Sequence, residues 1–157
     1  MKKLQFLMLG LFFMIASCTT SKVAKQTETG LRGDWTLRQI INDEGNTVVI
    51  TSLLGNPNVA CFEGSTWHFV ANNNSGYYIL NGAGCDSTEQ PIKWYVEEDG
   101  ANTYFWFKNL EEGLKAKEIT TGYKMRVISV DNYQAHLVQE VPYDAGKLNI
   151  HYYFDKQ

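Results

Sequence analysis

Residues 61–85 read C-F-E-G-S-T-W-H-F-V-A-N-N-N-S-G-Y-Y-I-L-N-G-A-G-C. Two apolar-rich runs, Ser65 to Ala71 and Gly76 to Leu80, flank the turn-forming Asn72-Asn73-Asn74-Ser75-Gly76, and a cysteine stands outside each run. Asn tolerates positive φ and Gly adopts it without steric cost, so this segment reverses the chain tightly. The stretch reads as a β-hairpin with a disulfide between Cys61 and Cys85 across its open end. Closing a loop of that length is worth roughly 3 kcal/mol in the chain-entropy picture.

Outward from the hairpin, strand patterns repeat in both directions. Leu31 to Ile41 is the first strand, with Trp35, Leu37 and Gln39 on one face and Thr36, Arg38 and Ile40 on the other. Residues 42–60 break the alternation and read as an extended loop. Its apolar part, Val48 to Asn58, is the candidate lid over one end. After a polar loop (Asp86 to Pro91), Ile92 to Glu97 and Thr103 to Phe107 form a second hairpin about Asp99-Gly100. Gly113 and the shortness of residues 110–118 argue for a connection or a single turn. Tyr123 to Val130, Tyr133 to Val141 and Leu148 to Phe154 complete eight short strands, the last two joined by Pro142 to Gly146. Such a meander closes most economically into an antiparallel up-and-down barrel, because closure removes exposed edges. A two-sheet sandwich is the alternative. An eight-stranded barrel is just wide enough to be filled by side chains or to hold one small ligand.

The chain has 157 residues, room for one domain once its start is set aside. Residues 1–17 carry Lys2-Lys3 and then an apolar core ending in small residues, the pattern of a secretory signal peptide. Ile15-Ala16-Ser17-Cys18 matches the bacterial lipobox, so Cys18 is expected to be lipidated and to anchor the protein in a membrane. Residues 18–30 are expected to form the lipidated cysteine and a flexible tether, and residues 31–157 the barrel domain. Nothing acidic clusters after Cys18, which favours an outer-membrane lipoprotein facing the periplasm. Taking Lys2 and Lys3 from the 14 Lys+Arg leaves 12 against 17 Asp+Glu, a formal charge of −5. An acidic exported domain is not built to hold nucleic acid. With Cys18 lipidated, Cys61 and Cys85 are an even pair in an oxidising compartment, which supports their disulfide.

Catalytic and metal patterns are weak. His68, His136 and His151 sit on different strands at parities opposite their apolar neighbours, hence outside the barrel, and a metal-binding or catalytic trio is not expected. No nucleophile–base spacing or phosphate loop can be read, so no cofactor is expected and a binding protein is favoured over an enzyme. The compositional excess is aromatic. Alternation assigns Trp35, Trp67, Phe69, Trp94, Phe105, Phe107, Tyr123, Tyr152 and Phe154 to the interior, where they either fill a core or line an apolar cavity. Trp67, Phe69, Trp94, Phe105, Phe107, Tyr123, Met125 and Tyr152 are the candidate ligand-binding residues.

Gly33-Asp34-Trp35 at the start of the first strand resembles the Gly-x-Trp signature of lipocalins, and Asp131-Asn132-Tyr133 loosely resembles their Thr-Asp-Tyr turn. The hairpin, Gly84-Cys85, Ile92-Lys93-Trp94 and Gly122-Tyr123-Lys124-Met125-Arg126-Val127 resemble the lipocalin-like lipoproteins of Bacteroidetes-type bacteria over about residues 31 to 155. That resemblance implies a calycin-type barrel binding a small hydrophobic or amphipathic ligand. The chain departs from lipocalins proper in lacking room for a C-terminal helix. It also lacks the last-strand arginine that stacks on the Gly-x-Trp tryptophan; Lys147 and Lys156 are the cations there. Gly84-Cys85 is also similar to a feature of META-type heat-shock lipoproteins, and Ser75-Gly76-Tyr77 to a loop of membrane-bound lysozyme inhibitors. These imply the alternative function, a protein-interaction module of the envelope with a filled core. Its candidate anchors are Tyr77, Tyr78, Tyr95, Tyr143 and Tyr153.

Overall fold

Eight antiparallel strands close on themselves in the computed structural model, which describes residues 22–45, 48–144 and 146–157. They are β1 (Gly33–Asn42), β2 (Thr66–Val70), β3 (Ser75–Ile79), β4 (Gln90–Asp99), β5 (Asn102–Asn109), β6 (Tyr123–Val130), β7 (Gln134–Tyr143) and β8 (Gly146–Lys156). Each pairs with the next, and β8 returns to β1 from Trp35↔Lys156 to Asn42↔Ile150. The barrel is therefore up-and-down and all-antiparallel, as the sequence predicts. The signal peptide and Cys18 lie outside the described residues.

The hairpin forms as read. Val70 pairs with Ser75 across a four-residue turn in which Asn74 takes φ +53°, and Asn73 Oδ1 accepts from Ser75 N at 3.1 Å. Gly76 is needed for close approach: a Cβ there would stand 2.2 Å from the carbonyl oxygen of His68. Cys61 and Cys85 are disulfide-bonded, with Cα atoms 5.8 Å apart.

Three differences from the sequence reading have physical causes. Residues 22–30, read as part of the tether, and Leu31, read as the start of the first strand, form the helix α1 (Lys22–Leu31). Ala24 and Leu31, seven residues apart and so on one face, are buried, and Glu98 Oε1 accepts from the Ala24 amide at 3.0 Å. In β1, a bulge at Arg38 shifts the register between Leu37↔Phe154 and Gln39↔Tyr153, so Ile40 rather than Gln39 packs against the core. Strand β7 also runs through Pro142 to Tyr143, pairing Pro142 with Lys147, because the fixed φ of proline suits an extended chain.

The interior is aromatic. Trp35, Trp67, Phe69, Trp94, Phe105, Phe107, Tyr152 and Phe154 are all buried, with Leu37, Phe62, Ile92, Met125 and Leu137 between them.

Candidate functional site

The two ends of the barrel differ. At the end where β1 begins and β8 finishes, Trp35 Nε1 donates to the carbonyl of Leu31 at 2.6 Å, which seats α1 on the barrel. Lys156 Nζ lies 4.9 Å from the Trp35 ring centroid and donates to the Gly30 carbonyl at 3.1 Å. The last-strand cation on the tryptophan is thus present as lysine. Asn74 of the hairpin turn reaches Glu28 Oε1 at 3.3 Å on the same side. Helix, tryptophan and turn together close this end.

Above it the rings pack in direct contact. Trp67 stacks on Tyr78 at 4.5 Å and meets Phe107 and Phe154 edge-on at 5.6 and 5.8 Å. Phe69 meets Trp94 and Phe105 at 5.6 and 5.5 Å, and Phe105 meets Phe107 at 5.7 Å. Offset and edge-to-face pairs at these separations are the arrangement of a filled core. Of the predicted ligand residues, Trp67, Phe69, Trp94, Phe105, Phe107 and Met125 belong to this packed layer.

At the opposite end a cleft of about 450 Å³ opens between the loop 48–55 and the mouth of the barrel. Val48, Ile50 and Leu53 form its loop side; Tyr123 of β6, Val141 of β7, and Leu148 and Ile150 of β8 form its barrel side. Leu53 and Leu54 are buried, which pins the loop, and Leu53 pairs with Asn56 in an isolated bridge. The disulfide lies at this end too, fastening the short 3-10 helix Val59–Cys61 that follows the loop. The segment predicted as a lid therefore roofs the mouth.

The polar groups here are few and neutral. Tyr152, buried beneath the mouth, donates its hydroxyl to Gln139 Oε1 at 2.6 Å, and Gln139 lines the cleft. Burial pushes the Tyr152 phenol far above its ordinary pKa and raises that of Tyr123, so both stay protonated. Tyr78 is pushed up to about 12 by the same cause. Asn42, paired with the inward-facing Ile150, donates Nδ2 to the Val48 carbonyl at 3.2 Å, while its buried Oδ1 has no partner. Asn109 Oδ1, opposite Ile92 at the end of β5, is likewise buried and unpartnered. Buried acceptors without a donor are uncommon, but neither asparagine lines the cleft, and the Asn109 side chain bonds the Tyr78 phenol.

Tyr123 is the predicted ligand residue that lines the cleft, and Tyr152 reaches it through Gln139. Sequence reasoning missed Gln139 and Ile150. Gln139 was legible as the one polar residue at the inward parity of Ala135, Leu137, Gln139 and Val141.

The histidines lie on the outer wall as expected, each half-buried. His68 meets Asp34 at 2.6 Å. His136 and His151 are 2.9 Å apart across β7 and β8. Burial, then the charges of His151 and Arg126, hold the His136 pKa below its ordinary value. The unfolded chain therefore takes up the proton first, and stability falls as pH drops through about 6.5 toward the lower folded pKa. Melting temperature should decline between pH 7.5 and 5.5 in the parent and less in His136→Gln; equal declines would remove the assignment.

Among the described residues no group of three or more His, Cys, Asp or Glu side chains is placed to hold a metal ion. No protein-family model matches the chain, and no curated protein matches it.

Proposed function

We propose that this protein is a carrier for a small amphipathic molecule, held at the mouth of the barrel rather than in its depth. The observation that carries the reading is the cleft of about 450 Å³ under loop 48–55, of mixed apolar and polar lining and within the usual ~300–1,000 Å³ of ligand sites. The deeper interior is occupied by rings in contact, so the tail lies against Val141, Leu148 and Ile150. Its polar head meets Gln139, the amide that lines the cleft. Amides and protonated phenols at the site suit recognition rather than proton transfer. With the lipobox at Cys18, the proposal extends to a lipocalin-like lipoprotein of the bacterial envelope, anchored by its acyl chains.

The neutral fluorophore N-phenyl-1-naphthylamine tests the site. It should bind saturably, and Val141→Glu should weaken it about tenfold or more, since a carboxylate at an apolar wall costs at least ~1.4 kcal/mol. Trp94→Phe, in the packed layer, should leave the affinity unchanged. Equal weakening by both, or no binding to the parent, removes the mouth as the site.

A second reading, the protein-interaction module, draws on the outer wall. Tyr95, 46 % exposed, stacks with Trp106 at 6.0 Å, and Lys124 Nζ lies 3.8 Å from the Tyr104 ring centroid. Aromatic and cationic side chains together are typical interface anchors. Tyr78 is not among them, because it is buried against Trp67.

A further inference from the structure

His136 and His151 sit diagonally on the β7–β8 ladder, where His136 pairs with Tyr153 and Val138 with His151. His136 Nε2 stands 2.9 Å from His151 Nδ1. The Tyr153 ring stacks on His136 at 4.3 Å, and the Arg38 guanidinium lies 5.8 Å from the Tyr153 centroid while bonding Asp155 at 3.2 Å. Between the two histidines the wall is floored by Val138, which is buried although it faces outward. The His136 ring is thus held from one side, with a ligating nitrogen of each imidazole turned toward the other.

We propose that this pair is a two-imidazole clip for a late first-row divalent metal ion, Cu²⁺ above all. The 2.9 Å is the hydrogen bond of the metal-free pair, whose rings lie end to end with centroids 5.2 Å apart, so binding requires both rings to turn until their lone pairs converge on the ion. Two imidazoles with open positions for water suit a tetragonal ion. Cu²⁺ also heads the general affinity order for nitrogen ligands.

The step needs no net proton release. In the neutral pair one ring nitrogen donates to the lone pair of the other; moving that proton to the far nitrogen of its own ring frees both lone pairs for the metal. The surrounding charges are mixed. Arg126 on β6 opposes a cation, and Arg38 on β1 is neutralised by Asp155. Asp43, whose carboxylate is held by Asn149 two residues from His151, attracts one. With no third protein ligand among the described residues, water completes the coordination. The clip lies on the barrel wall, away from the mouth.

Calorimetric titration of the untagged full chain with Cu²⁺, followed by electron paramagnetic resonance, tests the assignment. One equivalent should bind with hyperfine structure from two imidazole nitrogens. His136→Ala and His151→Gln should each weaken binding by at least ~10-fold, since even outer-shell losses cost 10–100-fold. His68→Ala should bind as the parent does. Any binding by Cys18 or the chain terminus is common to all variants and cancels in the comparison. Far-UV circular dichroism confirms that each variant is folded. Unchanged affinity in both clip variants, or a spectrum without imidazole nitrogen, overturns the proposal; tighter binding of Zn²⁺ than of Cu²⁺ overturns the tetragonal assignment.

Discussion

Trp67→Ala should lower the unfolding free energy by ~3–5 kcal/mol, the usual cost of deleting a large buried aromatic. The expectation rests on the position of the ring. Trp67 is 1 % exposed and touches Tyr78, Phe69, Phe107 and Phe154, which come from four parts of the barrel. Its Nε1 donates to Ser65 Oγ at 2.9 Å, and that hydroxyl donates in turn to the Phe62 carbonyl. Removing the indole leaves a cavity and breaks a buried chain of hydrogen bonds. Against a typical total of ~5–15 kcal/mol, this approaches the whole margin. Urea unfolding should show a much lower midpoint at an unchanged slope. Trp106→Ala, on the outer wall, should cost far less. Similar losses for the two would mean that the ring layer is not the core.

Replacing both Cys61 and Cys85 with serine should cost roughly 3 kcal/mol, from the loop-closure entropy of a link spanning 24 residues in sequence. The effect should also be local. The disulfide joins the turn after loop 48–55 to the Gly82–Cys85 turn, beside the hydrogen bond from Asn81 N to the Cys61 carbonyl at 3.3 Å. Without it the roof of the cleft loses one of its fastenings, and a bound apolar probe should dissociate faster than from the parent. Stopped-flow dilution measures that rate. An unchanged rate with lowered stability would separate the disulfide from the site.

The barrel was legible because its signals are local. Alternation in β4 to β8, the Asn-rich turn before Gly76 and the cysteine framing each depend on neighbours in sequence. What sequence could not supply were the features that need partners. The bulge at Arg38 reverses the parity of Ile40 through pairing with β8, some 115 residues away in the chain. Helix α1 is too short to be stable alone and owes its form to docking over Trp35. The same holds for the site: aromatics at inward parity look alike whether they fill a core or line a cavity. Ring-to-ring distances decide between the two, and they assign Trp94 and Phe105 to the core. His136 and His151 meet only because β7 and β8 bring diagonal positions together.

The central claim is that an amphipathic ligand sits at the mouth and not in the depth of the barrel. Heteronuclear chemical-shift mapping on the isotopically labelled protein, titrated with a straight-chain monoacylglycerol, tests it most directly. Shift changes should concentrate at Ile50, Leu53, Tyr123, Gln139, Val141 and Ile150 and leave Trp94 and Phe105 unmoved. Changes centred on Trp94 and Phe105, or none within the barrel, would contradict the account.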